Sequence, residues 1–93
     1  MQKHVKFYRT KDGATDYLFS FEQQPDGTWR AYIEWQPSYN GRDTNPHTVH
    51  RLKDGDRYYV CWDTHLHTLQ DAMKVAAFWA DCTQEYIRTG KKF

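Results

Sequence analysis

Apolar and polar residues alternate along roughly the first two thirds of the chain, and three Asp-Gly pairs interrupt the alternation. Successive side chains of a strand point to opposite faces of its sheet, so this pattern predicts strands. Asp-Gly between two alternating runs favours a hairpin turn. The pairs are Asp12-Gly13, Asp26-Gly27 and Asp54-Gly55. The predicted strands cover residues 3–9, 16–23, 28–36, 47–52 and 57–62, with hairpins joining the first to the second, the second to the third and the fourth to the fifth.

Between the third and fourth predicted strands lies the segment PSYNGRDTNP, residues 37–46, which is predicted to be a loop. It has a proline at each end and contains Ser, Asn, Gly and Asp, which are the residues typical of turns. Loops of this length in small domains are often functional or mobile. The segment is therefore a candidate part of a binding site.

The pattern changes period in the last third of the chain. Thr68 is a suitable N-cap, and Asp71 favours the positive end of a helix. Gly90, just after Arg88, is a typical C-terminal stop. A helix over about 69–89 is predicted from apolar positions with helical spacing. These positions are Leu69, Ala72, Met73, Ala76, Trp79, Ala80, Thr83, Tyr86 and Ile87, widened by Val75, Phe78 and Cys82.

A sheet with one apolar face needs a cover, and the amphipathic helix can supply it. We therefore predict a single α+β domain, residues 1–93, with a five-stranded antiparallel sheet and one long C-terminal helix packed on one face. The side chains predicted to face the helix are Val5, Phe7, Tyr17, Phe19, Phe21, Trp29, Ala31, Ile33, Trp35, Val49, Tyr58, Val60 and Trp62. Those predicted to face solvent are Lys6, Tyr8, Leu18, Ser20, Glu22, Arg30, Tyr32, Glu34, His50, Leu52, Tyr59 and Cys61.

The solvent-facing set interleaves tyrosines with basic residues, and this mixture allows two interpretations. Tyrosine stabilises strands through cross-strand pairs, so the pattern can be purely structural. Tyr with Arg is also typical of protein interfaces and of sheets on which bases stack. The candidate binding residues on this face and in the loop are Lys6, Tyr8, Arg30, Tyr32, Tyr39, Arg42, His50 and Tyr59.

The formal net charge of +1 argues against a surface that attracts polyanions everywhere, although both termini are basic. The chain has two cysteines, Cys61 and Cys82, and its beginning does not resemble a secretory leader. Reduced thiols in a cytoplasmic protein are therefore expected. No apolar run is long enough for a membrane helix, so no membrane partner is expected. Monomer and homodimer both stay open.

Three groups of histidine and cysteine residues have the residue types that chemistry requires. His47 with His50, and His65 with His67, have residue types that zinc prefers, but their spacing does not form a tetrahedral set. Cys61 with His50 could form a nucleophile pair only within hydrogen-bond reach. No phosphate-binding, dinucleotide-binding or zinc-protease motif is present. We therefore expect no catalytic residue, no metal and no cofactor.

The stretches DGTWRAYIEW and HTLQDAMKVAAFW resemble the arm-type DNA-binding modules of tyrosine-family integrases and plant AP2-like domains. In those modules a sheet rather than a helix reads DNA. The resemblance implies that Trp29, Arg30, Tyr32 and Glu34 would lie on the reading sheet. The segment from residue 50 to the end also resembles small uncharacterised proteins carried on bacterial mobile elements, which implies an accessory role in the cytoplasm.

The sequence thus favours a small non-catalytic binding or accessory protein. It would use the solvent-facing side of the sheet and the 37–46 loop to engage a protein or a nucleic acid. A sheet-reading module for DNA or single-stranded nucleic acid is the alternative, followed by a small enzyme or a metal-binding protein.

Overall fold

The structure, a computed structural model, describes residues 2–93, which form five strands and two helices. All strand pairs are antiparallel, and the strand order is β1-β2-β3-β5-β4. The elements are β1 (Lys3–Arg9), β2 (Asp16–Gln23), β3 (Trp29–Trp35), α1 (Pro46–Val49), β4 (Arg51–Asp54), β5 (Arg57–Val60) and α2 (Leu69–Thr89). The predicted α+β fold, a five-stranded antiparallel sheet with one long C-terminal helix, is confirmed.

Both ends of α2 follow from local chemistry. The Thr68 side chain accepts a hydrogen bond from the Asp71 amide at 3.1 Å, which satisfies a donor that the first turn leaves free. Gly90 adopts a left-handed conformation, φ 81°, and its amide donates to the Tyr86 carbonyl at 2.8 Å. Glycine accepts this conformation without the steric cost that a Cβ would bring. The predicted helix ends are therefore confirmed.

Trp79 lies at the centre of the core and is fully buried. Its ring meets Tyr17 and Phe19 of β2 edge-on, with centroids 6.0 and 6.1 Å apart. Its indole Nε1 donates to the Val49 carbonyl at 2.8 Å. One side chain therefore joins α2 to both β2 and α1. Small residues of α2, Ala72, Ala76 and Ala80, let the helix lie close to the sheet.

The fourth strand differs from the prediction of residues 47–52. Residues 46–49 form the short helix α1, and β4 starts only at Arg51. The Asn45 side chain accepts from the His47 amide, and Pro46 has the fixed φ that suits a first helical turn. His50 then takes a left-handed conformation, φ 55°, which ends the turn. These capping signals outweigh the short alternation that favoured a strand.

The predicted faces of β1 are wrong. Val5 pairs with Ser20 and Phe7 pairs with Leu18, so both lie on the face opposite α2. Lys6 and Tyr8 consequently lie on the helix side. The physical reason is that β1 is an edge strand, while α2 packs mainly across β2, β3 and β5. Because α2 covers the helix side of this edge strand only in part and nothing covers its opposite face, the apolar Val5 and Phe7 remain exposed.

Trp35 is also on the opposite face from the one predicted. Phe19 pairs with Ile33, whereas the preceding residue, Leu18, pairs with Trp35. The register shift leaves Glu34 as an extra residue in β3, and one extra residue reverses the side-chain alternation beyond it. Trp35 therefore points away from α2 and is 51% exposed.

Candidate binding surface

The sheet face opposite α2 is called the open face. Strand register assigns its side chains. They are Lys3, Val5, Phe7, Arg9, Asp16, Leu18, Ser20, Glu22, Arg30, Tyr32, Trp35, Leu52, Asp54, Arg57 and Tyr59, together with Glu34 of the β3 irregularity. The face divides into a charged centre and an apolar row at one end. The charged centre consists of Lys3, Glu22, Arg30, Tyr32, Glu34, Asp54, Arg57 and Tyr59.

In one half of the charged centre, the Arg57 side chain contacts two carboxylates and a tyrosine ring. Its guanidinium donates two hydrogen bonds to Glu22, at 2.6 and 3.1 Å, and one to Glu34 at 2.8 Å. It also lies 3.8 Å from the ring centroid of Tyr32, at cation–π distance. The hydrogen bonds from Arg57 hold the pKa of Glu22 below its usual range and raise the pKa of Arg57.

In the other half of the charged centre, Arg30 and Asp54 contact each other and two tyrosines. The Asp54 carboxylate accepts from the Tyr32 hydroxyl at 2.7 Å and from Arg30 at 3.2 Å. The Arg30 guanidinium lies 4.2 Å from the ring centroid of Tyr59. Burial and the bond to Asp54 raise the pKa of Tyr32. Covered in this way, Tyr32 is only 4% exposed, so its ring is not available for a base to stack on.

The charges of the open face balance. Every basic side chain on this face lies within ion-pair distance of a carboxylate, in pairs spanning 2.6–3.9 Å. The cations are Lys3, Arg9, Arg30 and Arg57, and the carboxylates are Asp16, Glu22, Glu34 and Asp54. Binding to a phosphate backbone depends on cations that neutralise phosphates. Here the cations are already neutralised by neighbouring acids.

The apolar row consists of Val5, Phe7, Leu18 and Trp35. Phe7, Leu18 and Trp35 follow one another across β1, β2 and β3 because each is the register partner of the next. Phe7 is 72% exposed, and Val5 and Trp35 are each more than half exposed. Contiguous exposed apolar side chains on a protein surface are characteristic of interaction sites, and aromatic residues dominate interface energetics.

Of the predicted site residues, Arg30, Tyr32 and Tyr59 are brought together on the open face. Lys6 and Tyr8 are not, because β1 has the opposite parity. The Tyr8 hydroxyl instead donates to Asp81 of α2 at 2.8 Å. Burial and this bond raise the pKa of Tyr8 to about 12.

The three remaining candidates lie near the C-terminal half of α2. Tyr39 is buried, with its ring 6.2 Å from that of Tyr86. The Arg42 Nε donates to the Ile87 carbonyl at 3.0 Å, which satisfies one of the acceptors at the end of α2. A ring nitrogen of His50 is hydrogen-bonded to the Phe93 carbonyl. The 37–46 segment is thus packed against α2 rather than extending from the sheet.

The residues of this surface that the sequence assigned wrongly or passed over include Val5, Phe7, Trp35 and Arg57. The first three were assigned to the helix side, and Arg57 was counted only as the start of a strand. The basic residues of β1, interleaved with apolar ones, could have indicated an edge strand, since charged residues are more common on edge strands than on central ones. No local signal indicated the irregularity at Glu34.

The histidine and cysteine constellations do not assemble into a site. Both cysteines are free, and burial raises the pKa of Cys82. The imidazole of His50 faces Phe93, with ring centroids 4.8 Å apart, rather than forming a pair with the Cys61 thiol. Over residues 2–93, no group of three or more His, Cys, Asp or Glu side chains could hold a metal ion.

The lowered pKa of Glu22 predicts a pH dependence of stability. A carboxyl whose pKa is lower in the folded state stabilises the fold above its unfolded pKa of about 4.3 and loses that contribution as the pH falls. We expect urea midpoints of the wild type to fall between about pH 5 and pH 3, and those of Glu22→Gln to fall less steeply. Asp63→Asn is the control, because Asp63 is exposed and takes part in none of the ion pairs among residues 2–93. Equal slopes for Glu22→Gln and the wild type would contradict the assignment.

Comparison with known proteins gives no relationship from which a function could be transferred: no family model, curated protein or solved structure matches the chain. The resemblances to DNA-binding modules and to mobile-element proteins therefore stay predictions. Within residues 2–93, neither helix is long and apolar enough to cross a membrane.

Proposed function

We propose that this protein is a non-catalytic binding protein that engages another protein through the apolar row of its open face. The observation that carries the proposal is that the exposed Phe7 and Trp35 lie on either side of the half-buried Leu18, in register across three strands. Burying such a row against a partner removes apolar area from water, which favours binding by roughly 25 cal/mol per Å² before the costs of association.

The state of the charged centre favours a protein partner over a nucleic acid. Stacking of bases needs exposed aromatic rings and free cations nearby. Tyr32 is covered by Arg57, and Arg57 is itself committed to Glu22 and Glu34. The proposal has the protein acting in the cytoplasm, where unpaired thiols such as those of Cys61 and Cys82 stay reduced.

Trp35→Ala tests the proposal directly. Peptides would be selected for binding to the wild-type protein from a displayed random library, and their dissociation constants measured by calorimetry. We expect Trp35→Ala to weaken the selected peptides by about tenfold or more, since a central aromatic anchor contributes at least 1–2 kcal/mol. The matched control is Phe78→Ala. Phe78 is similarly exposed, at 55%, but belongs to α2 rather than to the open face.

Loss of binding in Phe78→Ala with no change in Trp35→Ala would overturn the proposal.

A second measurement addresses the nucleic-acid alternative. The isotope-labelled protein is titrated with short single- and double-stranded DNA at low and moderate salt. We expect no shifts on the open face. Salt-sensitive shifts at Arg30, Tyr59 and Trp35 would favour a nucleic-acid partner instead.

A further inference from the structure

We propose that the free edge of β1 accepts an added strand from the partner, and that this strand alternates apolar and acidic residues. The inference rests on the proposed function, because the added strand would extend the apolar row. Beyond the proposed function, the partner segment would bind through backbone hydrogen bonds to β1 and would carry acidic as well as apolar side chains. Addition of an extended segment to a sheet edge is a common mode of peptide recognition.

The backbone of β1 has a row of unpaired groups. At one end of the β1–β2 ladder the Gln23 amide donates to the Gln2 carbonyl at 2.9 Å, and at the other the Thr10 amide donates to the Thr15 carbonyl at 3.0 Å. Hydrogen-bonded pairs alternate along an antiparallel ladder, so even-numbered residues of β1 bond to β2. The N–H and C=O groups of odd-numbered residues, Val5 and Phe7 among them, therefore point away from the sheet.

The sheet has two edge strands, β1 and β4, and β1 is the better site for an added strand. β4 has four residues, Arg51–Asp54, and three of them are charged. β1 has seven residues and exposes Val5 and Phe7 on the open face. Short and charged edges resist strand addition, whereas a long edge with apolar side chains is a template for it. A partner strand on β1 would place its own apolar side chains beside Phe7.

The charges of β1 indicate what the partner strand carries. The strand contains Lys3, His4, Lys6 and Arg9 and no acidic residue. Arg9 is paired with Asp16 at 2.8 Å, and Lys3 lies 3.9 Å from Glu22. Among the described residues Lys6 forms no ion pair, and its side chain lies on the helix side of the edge. An acidic residue opposite Lys6 would supply the missing charge, since opposite charges across a strand pair are favourable.

A second copy of this chain fits the edge poorly. Antiparallel pairing of β1 with its own copy about Lys6 sets two lysines directly opposite each other and Lys3 opposite Arg9. Like charges directly opposite destabilise a strand pair. Because β1 contains no acidic residue, no alignment of β1 with its own copy gives Lys6 an opposite charge, whereas an acidic strand does.

The helix side of the edge suits glutamate in particular. A groove of about 70 Å³ lies between β1 and α2, and its lining includes Met73, Ala77 and Lys6. A glutamate entering it would lay its aliphatic stem along Met73 and Ala77 and bring its carboxylate to the Lys6 ammonium. Long charged side chains commonly bury their stems in this way while the charge stays at a polar rim.

A capped peptide of alternating glutamate and valine, matched in length to β1, is the probe. We expect it to slow amide hydrogen exchange at Val5 and Phe7, whose N–H groups point away from the sheet in the free protein. Its affinity should fall as salt is added, and the same peptide with lysine in place of glutamate should bind at least about tenfold more weakly. Unchanged exchange at Val5 and Phe7 at the highest peptide concentration would overturn the inference.

Val5→Pro and Val5→Thr form a matched pair of variants. Proline removes an amide that points away from β2, and proline is tolerated on edges in such positions. Threonine keeps the amide and the branched shape. We expect Val5→Pro to weaken the peptide by about tenfold or more, and Val5→Thr by less than about threefold. Thermal unfolding of both variants checks that the sheet is kept.

The proposed function and this inference can fail separately. If selected peptides depend on Trp35 but leave exchange at Val5 and Phe7 unchanged, the edge is not used and only the inference is wrong. If selected peptides depend on neither Trp35 nor the edge, both are wrong. If sedimentation shows a dimer of the protein that Val5→Pro abolishes, a second copy occupies the edge and the acidic-strand inference is overturned.

Discussion

Replacing Trp79 with alanine is expected to lower the free energy of unfolding by about 3–5 kcal/mol. Domains of this size have about 5–15 kcal/mol in total, so the variant should lose a large fraction of its stability. The effect is large because Trp79 is fully buried between Tyr17 and Phe19. Alanine would leave a cavity at the point where α2, β2 and α1 meet. Urea unfolding followed by far-ultraviolet circular dichroism measures the loss.

Two further variants, Trp79→Phe and Trp35→Ala, serve as comparisons for Trp79→Ala. Trp79→Phe keeps an aromatic ring in the core but leaves the Val49 carbonyl without the indole N–H that reaches it at 2.8 Å. We expect it to cost about 1–3 kcal/mol, the usual range for a buried polar group left unpaired. Trp35→Ala should cost less than about 0.5 kcal/mol, because Trp35 is half exposed on the open face. Similar losses for Trp79→Ala and Trp35→Ala would contradict the packing described above.

Elements with local signals could be predicted from the sequence. Thr68 and Gly90 define the ends of α2 through bonds to residues within four positions of them. The Asp-Gly turns likewise determine which strands are joined by hairpins. In each case the stabilising contact lies within a few residues, so the pattern that predicts the element also contains its cause.

The faces of β1 and of the end of β3 could not be predicted, because their causes are not local. Which side chains of β1 face α2 is set by the register with β2, and Phe7 is opposite Leu18 rather than the buried Phe19. Trp35 changes face because β3 has one more residue than its partner at Glu34. An alternating pattern gives the two sets of side chains in a strand but does not say which set meets the helix.

The candidate site was predicted in part for the same reason. Arg30, Tyr32 and Tyr59 were correctly placed on one face by parity. What the sequence did not indicate is that Arg57 would cover Tyr32 and pair with Glu22, which lies 35 positions away. The prediction of an open tyrosine platform was therefore wrong for Tyr32, while the prediction that this face is free of α2 was right.

Arg57→Ala is expected to destabilise the protein by about 2 kcal/mol. The change removes three hydrogen bonds and the cation that covers the Tyr32 ring, and it leaves Glu22 and Glu34 close together without their shared partner. The value is smaller than for a fully buried ion pair, because solvent screens side chains that are partly exposed. Urea midpoints at low and moderate salt measure the loss, which should shrink as salt screens the two carboxylates.

Arg57→Lys is the matched control, since lysine keeps the positive charge but lacks the planar fork that reaches two carboxylates and stacks on a ring. We expect it to recover part of the lost stability and little of the cover over Tyr32. Hydrogen exchange and ring resonances of Tyr32 would show that cover directly. Equal stability of Arg57→Ala and the wild type would mean that the network does not hold the face together.

Arg57→Ala also tests the proposed binding of an acidic segment at β1. With Arg57 in place, three cations balance three carboxylates and the centre of the open face carries no net charge. Without it the centre becomes acidic and Tyr32 becomes accessible, so an acidic segment at β1 should bind more weakly although no contacting residue has changed. Because Arg57 lies on β5 and the proposed contact is on β1, this loss should decline with added salt, whereas the loss in Trp35→Ala should not.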